Sequence, residues 1–100
     1  MEFPEQIELQ ISQDDVKQGL HGDCSRCPTA LALLKVYPDL NDIMVDYRIV
    51  NLIVSDKIWA KYIPSPELTI EMRRYDGNTA KMNFRPGKYT LLLLSIVKGE

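Results

Sequence analysis

Leu91-Leu92-Leu93-Leu94-Ser95-Ile96-Val97 carries no charge and no alternation. The run is far shorter than the ~20 apolar residues that a membrane-spanning helix needs. It has instead the length and composition of a central strand covered on both faces. A chain holding such a strand must supply neighbours along both of its edges. Here it has 100 residues for the task, 45% of them hydrophobic and 26% charged, which suits one domain over residues 1–100 and argues against disorder. Met1-Glu2-Phe3-Pro4-Glu5 has neither the basic start nor the apolar stretch of a secretory signal, so the expected compartment is the cytoplasm, with no membrane association.

Ile7-Glu8-Leu9-Gln10-Ile11 alternates strictly and reads as a half-buried strand. Ser12 caps a short helical turn over Asp14–Gln18 that Gly19 stops. Pro28 opens a helix that Pro38 bounds, and its residues Thr29–Tyr37 are apolar nearly all round. Residues 43–54 are rich in β-branched side chains and read as strand. Ser55-Asp56-Lys57 is a hairpin turn, and Lys57–Ile63 is its return. Trp59 on that return reads as core or sheet cover, with an interface anchor as the other use.

Ser65 and Pro66 start a second helix, with Leu68, Met72 and Tyr75 as its apolar seam and Arg73 and Arg74 turned to solvent. Gly77 and Asn78 end it. Residues 81–84 read as a further short strand, and Arg85-Pro86-Gly87-Lys88 as a turn into the last strand, Tyr89–Val97. The expected fold is α+β: a small antiparallel sheet with two main helices in split βαβ, ferredoxin-like order.

One constellation carries obvious chemistry. In His21-Gly22-Asp23-Cys24-Ser25-Arg26-Cys27-Pro28, a histidine and two cysteines recur at three-residue intervals ahead of a helix. Thiols there lie near the positive end of the helix dipole, which lowers their pKa. As a zinc site, Cys24 and Cys27 with His21 or Asp23 supply three ligands of the usual four, and no second cysteine pair completes the set. As a redox pair, C-x-x-C has the right spacing but follows a glycine-rich loop rather than a strand. A zinc deaminase needs H-x-E, and Gly22-Asp23 follows His21 instead. The competing reading is that both cysteines pack the loop and no cofactor is held.

The charge is unevenly spread. Residues 1–50 hold nine acids and four bases, and residues 51–100 hold five acids and eight bases. Arg73, Arg74, Lys81, Arg85 and Lys88 form a candidate surface for phosphate groups or an acidic protein. With a pI of about 5.4 and no interleaved aromatics, a solvated face is the favoured account over nucleic-acid binding. No P-loop, G-x-G-x-x-G, H-E-x-x-H or G-x-S-x-G occurs, and one histidine closes off many acid–base layouts.

Three segments together resemble a group of short, functionally unassigned bacteriophage and prophage proteins. They are Gly19–Ala32 with Cys-Pro opening the helix, Ile63-Pro64-Ser65-Pro66-Glu67-Leu68, and Tyr75-Asp76-Gly77 with Phe84. The chain departs from that pattern after Phe84, at Arg85-Pro86-Gly87 and a longer apolar strand. The resemblance implies a phage-encoded accessory protein in the host cytoplasm and carries over no mechanism. The expected function is therefore non-catalytic binding of a host or phage protein. The alternatives are a zinc- or thiol-dependent module at His21, Cys24 and Cys27, and weak nucleic-acid binding through the basic residues. A homodimer is also expected, with the Pro28–Tyr37 helix or a flanking strand edge buried in it, because that helix has more apolar surface than one sheet face covers.

Overall fold

The computed structural model describes residues 2–20, 22–77 and 84–99. His21 and Lys81, named above as candidate metal and basic-patch residues, lie outside the described residues, as do residues 81–83 of the strand expected over 81–84, and Phe84 lies outside the described strands.

The fold is α+β. Strands β1 (Gln6–Ile11), β2 (Asp42–Val45), β3 (Val50–Ser55), β4 (Ile58–Pro64) and β5 (Gly87–Lys98) form one antiparallel sheet in the order β1-β5-β4-β3-β2. Helices α1 (Gln13–Gln18), α2 (Pro28–Val36) and α3 (Pro66–Asp76) complete the described elements. This is not the split βαβ order. There the first strand is central and parallel to a neighbour, whereas β1 is an edge strand paired only with β5, antiparallel.

The difference begins at residues 43–54. The sequence reads as one stretch of strand, but the chain turns back at Asp46. Its backbone N–H donates to the Ile49 carbonyl (2.9 Å), and its carboxylate accepts the Arg48 N–H (2.9 Å). That side-chain-closed turn makes two strands from one and converts the middle of the chain into the meander β2-β3-β4.

Helix starts follow local sequence. Ser12 and Asp15 form a reciprocal capping box: the Ser12 hydroxyl accepts the Asp15 N–H (3.1 Å), and the Asp15 carboxylate accepts the Ser12 N–H (2.9 Å). Asp15 is buried and also meets Lys35 Nζ at 2.6 Å, which ties α1 to α2. Ser65 caps α3 through the Leu68 N–H (3.3 Å), with Pro66 in its first turn. Leu68, Met72 and Tyr75 are buried and Arg73 and Arg74 are exposed.

The helices bury one face of the sheet. Ile7, Leu9, Ile11, Leu91, Tyr62, Ala60, Val50, Leu52 and Ile43 join Ala30, Leu33, Leu68, Met72 and Tyr75 in a single core cluster. Helix α2 packs against α1, β1 and β2, so its apolar surface is largely covered within the chain, and Val36 at its end stays exposed. The uncovered apolar surface lies elsewhere, on β5. That strand is central, as its composition implies, but only one of its faces is covered: Leu91 is fully buried while its neighbour Leu92 is 51% exposed. Among the described residues no helix is long and apolar enough to cross a membrane.

Candidate functional site

Two regions carry distinctive chemistry, the cysteine turn and the bare face of the sheet. The cysteine turn is a folded loop held from three sides. Leu20 N–H bonds to the Arg26 carbonyl (2.9 Å), and the Asp23 carboxylate accepts the Ser25 N–H (2.9 Å). Val45 N–H reaches the Cys24 carbonyl (2.8 Å), which anchors the loop to β2. Gly22 N–H donates to Asp76 at the end of α3 (3.1 Å). Two glycines are needed here for separate reasons. Gly22 has φ +69°, in the left-handed region, and a Cβ on Gly19 would stand 2.7 Å from the Pro28 ring.

Beneath the loop is a cleft of about 270 Å³ lined by Cys24, Cys27, Thr29, Tyr47, Tyr75 and Asp76, among others. Asp76 also accepts the Tyr47 hydroxyl (2.7 Å), and the Arg73 guanidinium lies 5.3 Å from the centre of the Tyr47 ring. The hydrogen bond to Asp76, with some burial, pushes the Tyr47 phenol up to about 12. The Thr29 hydroxyl is buried and has no hydrogen-bond partner among the described residues.

Cys27 is the N-cap of α2 and is buried; Cys24 is exposed at the rim, and both are free thiols. The helix-start position was expected to lower the thiol pKa values. For Cys27 the opposite holds: burial pushes the thiol up to about 11, outweighing the N–H groups of Ala30 and Thr29, which pull downward. Burial thus favours the protonated thiol of Cys27, the less nucleophilic form. Among the described residues no three His, Cys, Asp or Glu side chains are grouped to hold a metal ion.

A thiol-labelling experiment checks this contrast. At pH 8, Cys24 should react at once, and Cys27 should react at least about a hundredfold more slowly than in the unfolded chain, since it must wait for opening. Because the folded pKa of Cys27 is raised, its contribution to stability is complete below about pH 9 and is lost as pH rises toward about 11. Equal labelling rates for the two thiols would show that the N-cap is not buried.

Among the described basic residues, Arg74 and Arg85 meet at Glu71 and Lys88 stands apart from them. Arg74 Nη1 meets the Glu71 carboxylate at 3.4 Å, and the other Glu71 oxygen accepts the Arg85 backbone N–H (2.8 Å). Glu71 thus joins α3 to the start of β5. The Tyr89 hydroxyl donates to the Arg85 carbonyl. Lys88 is paired with Gln10 on the bare face of the sheet, opposite to the face on which α3 packs.

That bare face is the second region. Its β1 side is polar, with Gln6, Glu8 and Gln10 exposed. Across β5, β4, β3 and β2 it carries two apolar rows, Leu92–Ile63 and Val97–Trp59–Ile53, separated by the row Ser95–Lys61–Asn51–Met44. The pairs Ile63↔Leu92, Trp59↔Val97 and Ile53↔Trp59 share this face with Met44, and Leu94 is the extra residue at the β5 bulge. Leu92, Leu94, Ile63 and Met44 are 51%, 54%, 43% and 45% exposed. The Asn51 side-chain oxygen beside Trp59 and Lys61 has no hydrogen-bond partner among the described residues. Sequence reasoning missed this surface because the apolar run of β5 implied cover on both sides. The alternation of Gln6, Glu8 and Gln10 on its neighbour was the available signal that this face of the sheet is open. Comparison with family models, curated proteins and solved structures finds no match to this chain.

Proposed function

We propose that this chain acts by binding rather than by chemistry, docking a protein partner on the apolar half of its bare sheet face. The observation that carries the reading is the set of apolar side chains Leu92, Ile63, Trp59, Ile53 and Met44, which lie on four strands of one face with no cover from the chain's own helices. Exposed Leu92, Ile63 and Met44 beside a half-buried tryptophan, with a lysine and an asparagine among them, have the mixed composition of a binding surface, whereas scattered surface leucines do not. Lys61 stands between the two apolar rows, flanked by Asn51 and Ser95, and Lys88 lies toward β1 on the same face. The partner that fits is therefore apolar at its centre with carboxylates placed to meet these two cations. The resemblance to short phage and prophage proteins supports a host or phage protein in that role.

The test compares three forms of the tagged chain in capture from lysate: wild type, Leu92→Ser/Ile63→Ser, and Arg73→Glu/Arg74→Glu. The reading predicts a protein retained by wild type and by the arginine variant, and reduced at least about tenfold by the sheet variant, in line with loss of hot-spot contacts. Retention unaffected by the sheet variant, loss with the arginine variant, or nothing retained by wild type above the sheet variant would each overturn it.

A further inference from the structure

We propose that the C-terminal half of β5 is a pairing edge for a second copy of this chain. This edge is distinct from the docking face, because it uses main-chain groups in the plane of the sheet. β5 has twelve residues, but β1 pairs only with Gly87–Leu92, and the last bond between the two runs from Leu93 N–H to the Glu5 carbonyl (2.8 Å). Ahead of Glu5 the chain leaves the line of β1. The Tyr62 hydroxyl donates to the Pro4 carbonyl (2.6 Å), Phe3 packs against the core, and Glu2 and Phe3 line a hollow with Ile58, Ile96 and Lys98. No described strand therefore flanks β5 beyond Leu93 on the β1 side.

On its other side, this half of β5 is fully paired. Ser95 and Val97 stand opposite Lys61 and Trp59, and Gly99 N–H bonds to the Lys57 carbonyl (2.6 Å). In an antiparallel ladder, alternate residues direct their main-chain groups to opposite sides. Ser95, Val97 and Gly99 are committed to β4, which leaves Ile96 and Lys98 with N–H and C=O groups on the open edge. Apolar side chains surround that edge: Leu94 is 54%, Ile96 42% and Ile58 37% exposed. Natural edges are normally blunted, and one left open with apolar flanks is a template for another strand.

A second copy satisfies this edge with no other component. A two-fold axis beside Val97 sets Ile96 opposite Lys98 of the second copy, and Lys98 opposite its Ile96. Two donors and two acceptors from each chain then close four N–H···O bonds, an isologous contact. In this register Gly99 of the second copy stands opposite Ser95, two positions along β5 from the Leu93 that Glu5 meets, and each ammonium group faces an isoleucine rather than its like. The two five-stranded sheets become one continuous sheet.

Sedimentation equilibrium over a concentration series at low salt, with four variants, tests the proposal. Wild type should shift from the 11.5 kDa monomer toward a dimer as concentration rises. Ile96→Pro removes an N–H on the open edge and none that β4 uses, so it should weaken the dimer at least about tenfold. Ile96→Lys places a cation opposite Lys98 and should weaken it comparably, whereas Ile96→Glu supplies a carboxylate there and should preserve or strengthen it. The two charge variants keep the test decisive if the proline variant does not fold. Leu92→Ser/Ile63→Ser should dimerise like wild type, which separates this edge from the docking face. A wild type that stays monomeric, a dimer blind to the sign of charge at residue 96, or one lost with the Leu92/Ile63 variant would overturn the proposal.

Discussion

Tyr75→Ala is expected to destabilise the protein by about 3–5 kcal/mol, the usual cost of deleting a large buried aromatic. The Tyr75 ring is almost fully buried and meets Phe84 edge-on at 6.1 Å between centroids. Its hydroxyl donates to the Gly19 carbonyl (2.9 Å), with the Val16 carbonyl also in reach (3.2 Å). The side chain thus ties the end of α3 to the end of α1, at the point where the cysteine turn begins. Tyr75→Phe keeps the ring and removes the donor, leaving buried carbonyls without it, and should cost about 1–3 kcal/mol. Urea denaturation of both variants checks the pair. A Phe variant as stable as wild type would mean that the hydroxyl does not hold the turn.

The second large effect comes from two adjacent leucines. Leu91→Ala should cost about 2–5 kcal/mol, because Leu91 is fully buried between β1 and β4 on the helix-covered face. Leu92→Ala, one residue on, should change stability by no more than about 0.5 kcal/mol, as surface substitutions commonly do. The same denaturation experiment reads both. Comparable losses at the two positions would place cover on both faces of β5 and remove the surface on which the proposed function rests.

The signals that the sequence carried well are local ones. Ser12 with Asp15, and Ser65 with Leu68, mark helix starts through bonds made within three residues, Pro28 marks one by lacking the N–H that a first turn leaves unpaired, and the Leu68–Met72–Tyr75 spacing marks a buried helical face. The turn at Asp46 was hidden because it contains neither glycine nor proline, and the Asp46 side chain closes it instead. Strand order was hidden for a different reason. β1 meets β5 across eighty residues of chain, and nothing in the alternation of Ile7, Leu9 and Ile11 says which strand lies beside it.

At the cysteine turn the spacing of Cys24 and Cys27 was visible, but burial of one and exposure of the other is a tertiary outcome. It reverses the effect expected from the helix start on Cys27. The Tyr47–Asp76 hydrogen bond, 29 residues apart in sequence, left no trace there. The apolar run of β5 showed that both of its faces want cover. A run of leucines cannot say whether that cover comes from its own chain or from another.

The account turns on the bare face of the sheet, and methyl-labelled NMR with a soluble paramagnetic probe examines it directly. In the free protein, Leu92, Ile63 and Met44 should relax strongly, with Leu91, Leu52 and Ile43 shielded, since the two sets occupy opposite faces of the same strands. Addition of the captured partner should shield the first set and leave Val36, exposed at the end of α2, unchanged. Leu92 as shielded as Leu91 in the free protein, or a partner that shields Val36 and not Leu92, would contradict the account.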